Sequence, residues 1–119
     1  MKKAIIVADD KESIVKSMKK MLEPYYDVST ATSGLDVLEL CDAKQYDALI
    51  IDVIFEGGMS GLETAAMLRE NDKNIKIIII SAVDYSSATR QQAIKIGASF
   101  LEKPLQLERI RKILEGSDE

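Results

Sequence analysis

The sequence predicts an α/β domain: one parallel sheet of five strands with helices on both faces. Three observations carry that reading. Short apolar segments alternate with segments of helical periodicity five times along the 119 residues. Ile77 to Ile80 are four consecutive isoleucines with no polar alternation, as a strand covered on both faces requires. Turn signals at Pro24, Asn71 to Asn74 and Gly97 fall between the segments rather than inside them.

The elements follow in order. Lys3 to Ala8 reads as a short buried strand. Lys11 to Glu23 places Ile14, Val15, Met18, Met21 and Leu22 at helical spacing, and Pro24 disfavours helix at Glu23. Tyr26 to Thr30 is the second strand. Ser33 opens a helix in which Leu35, Leu38 and Cys41 recur, with Asp36 at the third helical position. Asp47 to Asp52 is the third strand, followed by a Gly57-Gly58 loop. Ser60 and Glu63 form a capping-box pattern for a helix reaching about Asn71. Lys76 to Ser81 is the fourth strand and the expected sheet centre. Asp84 to Ile96 is a helix of weaker pattern, and Ala98 to Leu101 a short fifth strand. Leu107, Ile110 and Leu114 face inward from the last helix, and the chain is expected to fray from Gly116.

Length and composition bound the function. The 119 residues fit one domain, spanning 1–119, and 46% hydrophobic content is enough for one core. The net charge is −4 with mixed signs, which argues against a nucleic-acid surface. No apolar run approaches a membrane span, and no cleavable leader is evident, so the chain is read as unprocessed and cytoplasmic. Cys41 is the only cysteine and reads as a small core residue. With no histidine in the chain, Ser-His-Asp and Cys-His catalysis and every His-ligated zinc site are excluded. Any bound metal must be held by oxygen, which favours a hard ion such as magnesium.

In sheets of this kind ligands bind at the carboxyl ends of the strands. Strand one ends in Asp9-Asp10, strand three in Asp52, strand four in Ser81-Ala82, and strand five is followed by Lys103-Pro104. Two carboxylates ~4 Å apart repel by about 4 kcal/mol at an effective dielectric of about 20. Three together need compensation, which Lys103 and a divalent cation would supply. Each feature has an ordinary explanation alone, such as Asp-Asp capping a helix. Their ordered recurrence at successive strand ends is what points to a site.

These residues resemble the receiver domains of two-component signalling proteins, including the single-domain chemotaxis regulator. The resemblance runs from Lys3 to Leu114. It rests on Asp9-Asp10, Asp52, Ser81-Ala82 and Phe100 three residues before Lys103-Pro104. Lesser marks are Ala31-Thr32-Ser33-Gly34, Gly61-Leu62 and Gly97-Ala98. One stretch departs: after Asp52 the family usually has Met-Pro and then a glycine at fixed distance. Here Asp52 to Gly61 carries no proline and is one residue longer, and Gly57-Gly58 is read as a neutral insertion.

The resemblance implies a flavodoxin-like (βα)5 fold with strand order 2-1-3-4-5 and a cis bond between Lys103 and Pro104. It implies a phosphorylation switch and no enzyme beyond catalysis of its own phosphorylation and dephosphorylation. Asp52 would be the phosphoacceptor. Asp9, Asp10, Asp52 and the backbone carbonyl of Ile54 would hold Mg2+, for which Mn2+ could substitute. Lys103, Ser81 and Ala82 would bind the phosphoryl group, with Ser81 and Phe100 as the switch pair on an α4-β5-α5 surface. The phosphoryl donor would be a sensor histidine kinase or a phosphotransfer protein, and the output a downstream protein target, with neither nucleic acid nor membrane contacted directly. A phosphorylation-dependent homodimer is compatible with it. Phe100 lacks a hydroxyl, so its inward orientation is expected to be the easier one. Apolar Ile54 and Val83 would flank the phosphate and cannot hold an attacking water, so self-dephosphorylation is expected to be slow. The contrasting reading is a phosphorylation-independent interaction module of the same fold. An aspartate-nucleophile phosphatase would need an acid at position 54, where this chain has Ile54.

Overall fold

The computed structural model describes residues 2–53, 58–81 and 87–116. Five strands and five helices alternate: β1 (Ala4–Ala8), α1 (Glu12–Leu22), β2 (Asp27–Ala31), α2 (Gly34–Ala43), β3 (Ala48–Asp52), α3 (Gly61–Asn71), β4 (Lys76–Ser81), α4 (Ser87–Lys95), β5 (Ser99–Glu102) and α5 (Leu107–Leu114). All strand pairs are parallel and the order is β2-β1-β3-β4-β5. That is the architecture and order the resemblance implied.

The isoleucine run explains how one sheet serves two cores. Side chains alternate across a strand. Ile77 and Ile79 join Ile6, Leu49, Ile51, Val37, Ala65, Leu68 and Ala93 in a core beneath α2, α3 and α4. Ile78 and Ile80 join Ile5, Val7, Ile50, Val15, Met18, Leu22, Ile110 and Leu114 in a core beneath α1 and α5. The four isoleucines are at most 2% exposed. Burying each side chain contributes roughly 1.5–3 kcal/mol.

The helix starts follow local chemistry. Ser60 accepts a hydrogen bond from the Glu63 N–H at 3.0 Å, and Glu63 accepts one from the Ser60 N–H at 2.9 Å. Ser33 accepts from Asp36 N–H at 3.1 Å. Neither Asp9 nor Asp10 is the N-cap of α1: Lys11 stands at that position, and its own side chain makes no capping hydrogen bond.

Three details differ from the sequence reading. β2 and β5 each lie one residue later than expected. Leu35 does not face the core; it is 60% exposed, while Gly34 and Val37 are buried. The reason is close packing: a Cβ on Gly34 would stand 2.2 Å from the Thr64 hydroxyl oxygen of α3, so the smallest residue of α2 is turned inward.

Candidate functional site

The sheet register brings the charged residues together. Asp52 pairs with Ile80, Ile80 with Leu101, and Ala8 with Ile51, so the residue after Ala8 falls beside Asp52. Asp52 shares the strand parity of Ile50, Asp9 continues that of Val7, and Lys103 that of Leu101. All three lie on the α1/α5 side of the sheet end. Ser81 and Phe100 have the opposite parity, that of Ile79, and belong to the α2/α3/α4 side.

Lys103 is the hub. Its Nζ donates to Asp52 Oδ2 at 2.9 Å and stands 3.6 Å from Asp9 Oδ2. Its backbone N–H donates to the Ser81 carbonyl at 2.7 Å, which ties the ends of β4 and β5 together. The Lys103–Pro104 peptide is cis. Burial opposes the ammonium charge, but the hydrogen bond to Asp52 and the charges of Asp52 and Asp9 outweigh it and hold the Lys103 pKa above its ordinary value.

Asp9 is 1% exposed. Its Oδ1 accepts the Lys11 N–H at 3.0 Å, while Oδ2 is fully buried without a hydrogen-bond partner. Burial pushes the Asp9 carboxyl above the usual carboxylate range. The Lys11 N–H pulls it down, Asp52 raises it further, and Lys103 partly offsets that. Asp10 Oδ1 faces the Lys11 ammonium at 3.9 Å. Among the described residues, no three acidic or sulfur side chains stand together closely enough to hold a metal ion. The structure thus converges Asp9 and Asp52 on Lys103, and does not draw Asp10 into one cluster with them. The donor set still fits a hard cation. It is oxygen only, and a buried carboxylate oxygen without a hydrogen-bond partner is a group that a cation would satisfy. Ile54, Ala82 and Val83 lie outside the described residues.

The end of β3 is held by a tight passage. Gly61 N–H donates to the Val53 carbonyl at 3.0 Å, and a Cβ on Gly61 would come to 1.7 Å from the Asp52 carbonyl oxygen. Only glycine lets α3 begin there. An apolar groove of about 620 Å³ runs beside Lys103, between Ile14, Met18 and Met21 of α1 and Pro104-Leu105.

Ser81 is fully buried at the end of β4. Phe100 is half-buried in β5 with the Arg90 guanidinium over its ring, 4.8 Å from carbon to centroid. Arg90 Nη2 also reaches Glu102 Oε2 at 3.3 Å. The sequence reading did not single out Arg90. The available signal was a cation on the helix preceding an edge strand that carries Phe100 and Glu102 on one face. The weak apolar pattern of α4 left its phase open.

A family model described as the response regulator receiver domain matches residues 5–115. The chain belongs to the response regulator receiver domain family. Membership places this receiver domain in phosphorylation-based two-component signalling, in which response regulators interact with histidine kinases and output targets. It is 32% identical over 108 residues to response regulator MprA of Mycobacterium ulcerans, covering 89% of this chain and 46% of that protein. It is 33% identical over 109 residues to response regulator PleD of Caulobacter vibrioides, covering 88% of this chain and 24% of that protein. The receiver domain therefore spans less than half the length of these relatives.

Among solved structures, one of a Burkholderia pseudomallei response regulator contains a phosphorylated aspartic acid, a calcium ion and citrate. It matches with a TM-score of 0.84 at 31% identity, over 94% of this chain and 66% of that one. The BeF3-activated DrrB receiver domain matches with a TM-score of 0.83 at 25% identity, over 97% and 99% of the two chains. A receiver domain protein from Methanospirillum hungatei shares the fold at a TM-score of 0.89 and 22% identity, over 99% and 98%. No helix among the described residues is long and apolar enough to cross a membrane.

Proposed function

We propose that Asp52 accepts a phosphoryl group from a phosphohistidine on a sensor histidine kinase or phosphotransfer protein. The observation that carries this is the Lys103 ammonium, 2.9 Å from one oxygen of Asp52 and in ion-pair reach of the buried Asp9. An Asp52 carboxylate oxygen attacks phosphorus, the N–P bond breaks, and its electron pair leaves with the donor imidazole, which takes up a proton. Such transfer depends mainly on positioning and on stabilising charge.

The chain's own residues supply most of that. Lys103 holds the Asp52 carboxylate in place through its hydrogen bond, so the nucleophile is positioned. Once Asp52 is esterified, the same ammonium faces the phosphoryl oxygens, which bring roughly −1.5 to −2 charges. Asp9, Asp10 and Asp52, with the Ile54 carbonyl, would hold Mg2+ or Mn2+, which supplies charge to offset the carboxylates and the incoming phosphate. The Ser81 hydroxyl, with the backbone at Ala82, is the candidate second contact to the phosphoryl group. Its backbone tie to Lys103 couples the two loops. Phe100, on the same side of the sheet as Ser81, then changes orientation, and the α4-β5-α5 surface presents a different face to a downstream protein or output domain. The phosphorylated aspartic acid in the Burkholderia regulator supports the acceptor assignment.

The test is phosphorylation by acetyl phosphate with Mg2+, read by intact mass, beside a titration with beryllofluoride read by thermal shift. The expected result is one added phosphoryl group that is absent in Asp52→Asn, and a thermal response to beryllofluoride that needs Mg2+. Neither response in a folded protein would overturn the proposal and leave a phosphorylation-independent interaction module.

A further inference from the structure

At the far edge of the sheet, remote from Asp52, a cavity of about 260 Å³ opens between the ends of α3, α4 and α5. Arg69, Lys73, Lys76 and Ser99 line it, and no carboxylate does. Arg69 Nε donates to the Ile96 carbonyl at 2.6 Å and its Nη1 to the Asp72 carbonyl at 3.2 Å. Lys76 Nζ donates to the Ile113 carbonyl at 2.8 Å. None of the three cations forms an ion pair with a described residue. The nearby Asp72 carboxylate is occupied by the N–H groups of Asn74 and Ile75 and lines the cavities on the α2 side instead.

Capping of helix ends accounts for where Arg69 and Lys76 sit, but not for all of their charge. A helix C-terminus carries about half a negative charge. Three such ends offset roughly half of three cations and leave the cavity positive. The donors are not exhausted either. A guanidinium has five N–H groups and an ammonium three, and only some are spent on the carbonyls. Arg69 and Lys76 are fixed in place by those carbonyl bonds, so a ligand would not have to order them.

We propose that this cavity binds a small oxyanion of the phosphate or sulfate class through Arg69, Lys76, Lys73 and the Ser99 hydroxyl. The ligand would join the carboxyl ends of three helices. The site is independent of the phosphoacceptor reading. β4 puts five residue steps between Lys76 and Ser81, about 17 Å.

The experiment is amide NMR of the intact chain with EDTA present. Inorganic phosphate, sulfate or a phosphomonoester is titrated against sodium chloride at matched ionic strength. Saturating shifts at Asn74, Gly97 and Ser99, absent with chloride, are expected, and the stronger of the phosphate and monoester arms identifies the free ion or the ester head group. Lys73→Glu, at an exposed position outside the helix caps, should keep the fold and weaken binding about fivefold, the effect of one exposed charge pair. Shifts that never saturate, that appear only around Lys103, or that survive Lys73→Glu unchanged would overturn the site.

Discussion

The Arg90 guanidinium lies over the Phe100 ring, 4.8 Å from carbon to centroid, and its Nη2 is held to Glu102 at 3.3 Å. Phe100 cannot make the outward hydrogen bond that a tyrosine hydroxyl offers. Arg90 supplies another attraction on the outer side of the ring, through the quadrupole of its face. The half-buried ring therefore has a partner in its present orientation, which the expectation of an easier inward state did not include.

Removing that partner should release the ring. The stacked cation contributes about 0.5–1 kcal/mol and the exposed ion pair about 0.2–1 kcal/mol. Arg90→Ala should therefore shift the orientation equilibrium of Phe100 inward by roughly fivefold, with little change in global stability. Aromatic NMR of Phe100, compared with the beryllofluoride state, reads this directly. Ring resonances identical to the parent protein would show that Arg90 does not hold the ring.

Asp9 is buried beside a second carboxylate. Asp9→Asn keeps the acceptor used by the Lys11 N–H and removes a buried charge. The neutral variant should be more stable by about 1 kcal/mol in urea unfolding without metal. It should also lose stabilisation by Mg2+, which the parent gains. A variant less stable than the parent, or one stabilised equally by Mg2+, would show that the Asp9 charge serves the fold rather than cation binding.

Gly61 should not tolerate alanine. Its Cβ would press on the backbone carbonyl of Asp52, and backbone cannot rotate away as a side chain can. Gly61→Ala is expected to cost about 3 kcal/mol in denaturant unfolding and to slow phosphorylation of Asp52 by displacing it. Unchanged stability would mean that β3 and α3 can separate without loss.

Tyr26 should titrate above the ordinary tyrosine value. Burial, with the Glu115 carboxylate accepting its hydroxyl at 3.0 Å, pushes its pKa up to about 12 from 10.0. Between those values the unfolded chain has released a proton that the folded chain keeps, so stability falls as pH rises. The contribution is complete below pH 10 and lost through about 12. Tyrosinate absorbance should show one late step that Tyr26→Phe abolishes. A late step surviving that substitution would place the effect elsewhere.

Asp9, Asp52 and Lys103 come together because strand ends in a parallel sheet share one edge, and the isoleucine run and turn residues locate those ends in the sequence. The register then converts adjacency in the sheet into contact. What escaped depends on helix rotation. Leu35 was placed inward because apolar spacing was read without knowing that Gly34 had to face Thr64. Arg90 escaped because α4 buries only Ala93 among its described side chains, so its apolar spacing does not fix which face meets β5. Asp10 follows Asp9 at the end of β1, and its Oδ1 stands 3.9 Å from the Lys11 ammonium.

The division of side chains across β4 and β5 has an evolutionary consequence. Lys103 and Asp52 stand on one side of a sheet a single peptide thick, and Phe100 with Arg90 stands on the other. Substitutions at Phe100 and Arg90 remove none of the contacts that Lys103 makes with Asp52 and Asp9. Such a domain can be rewired to a new listener, by nature or by grafting, while its chemistry is inherited intact.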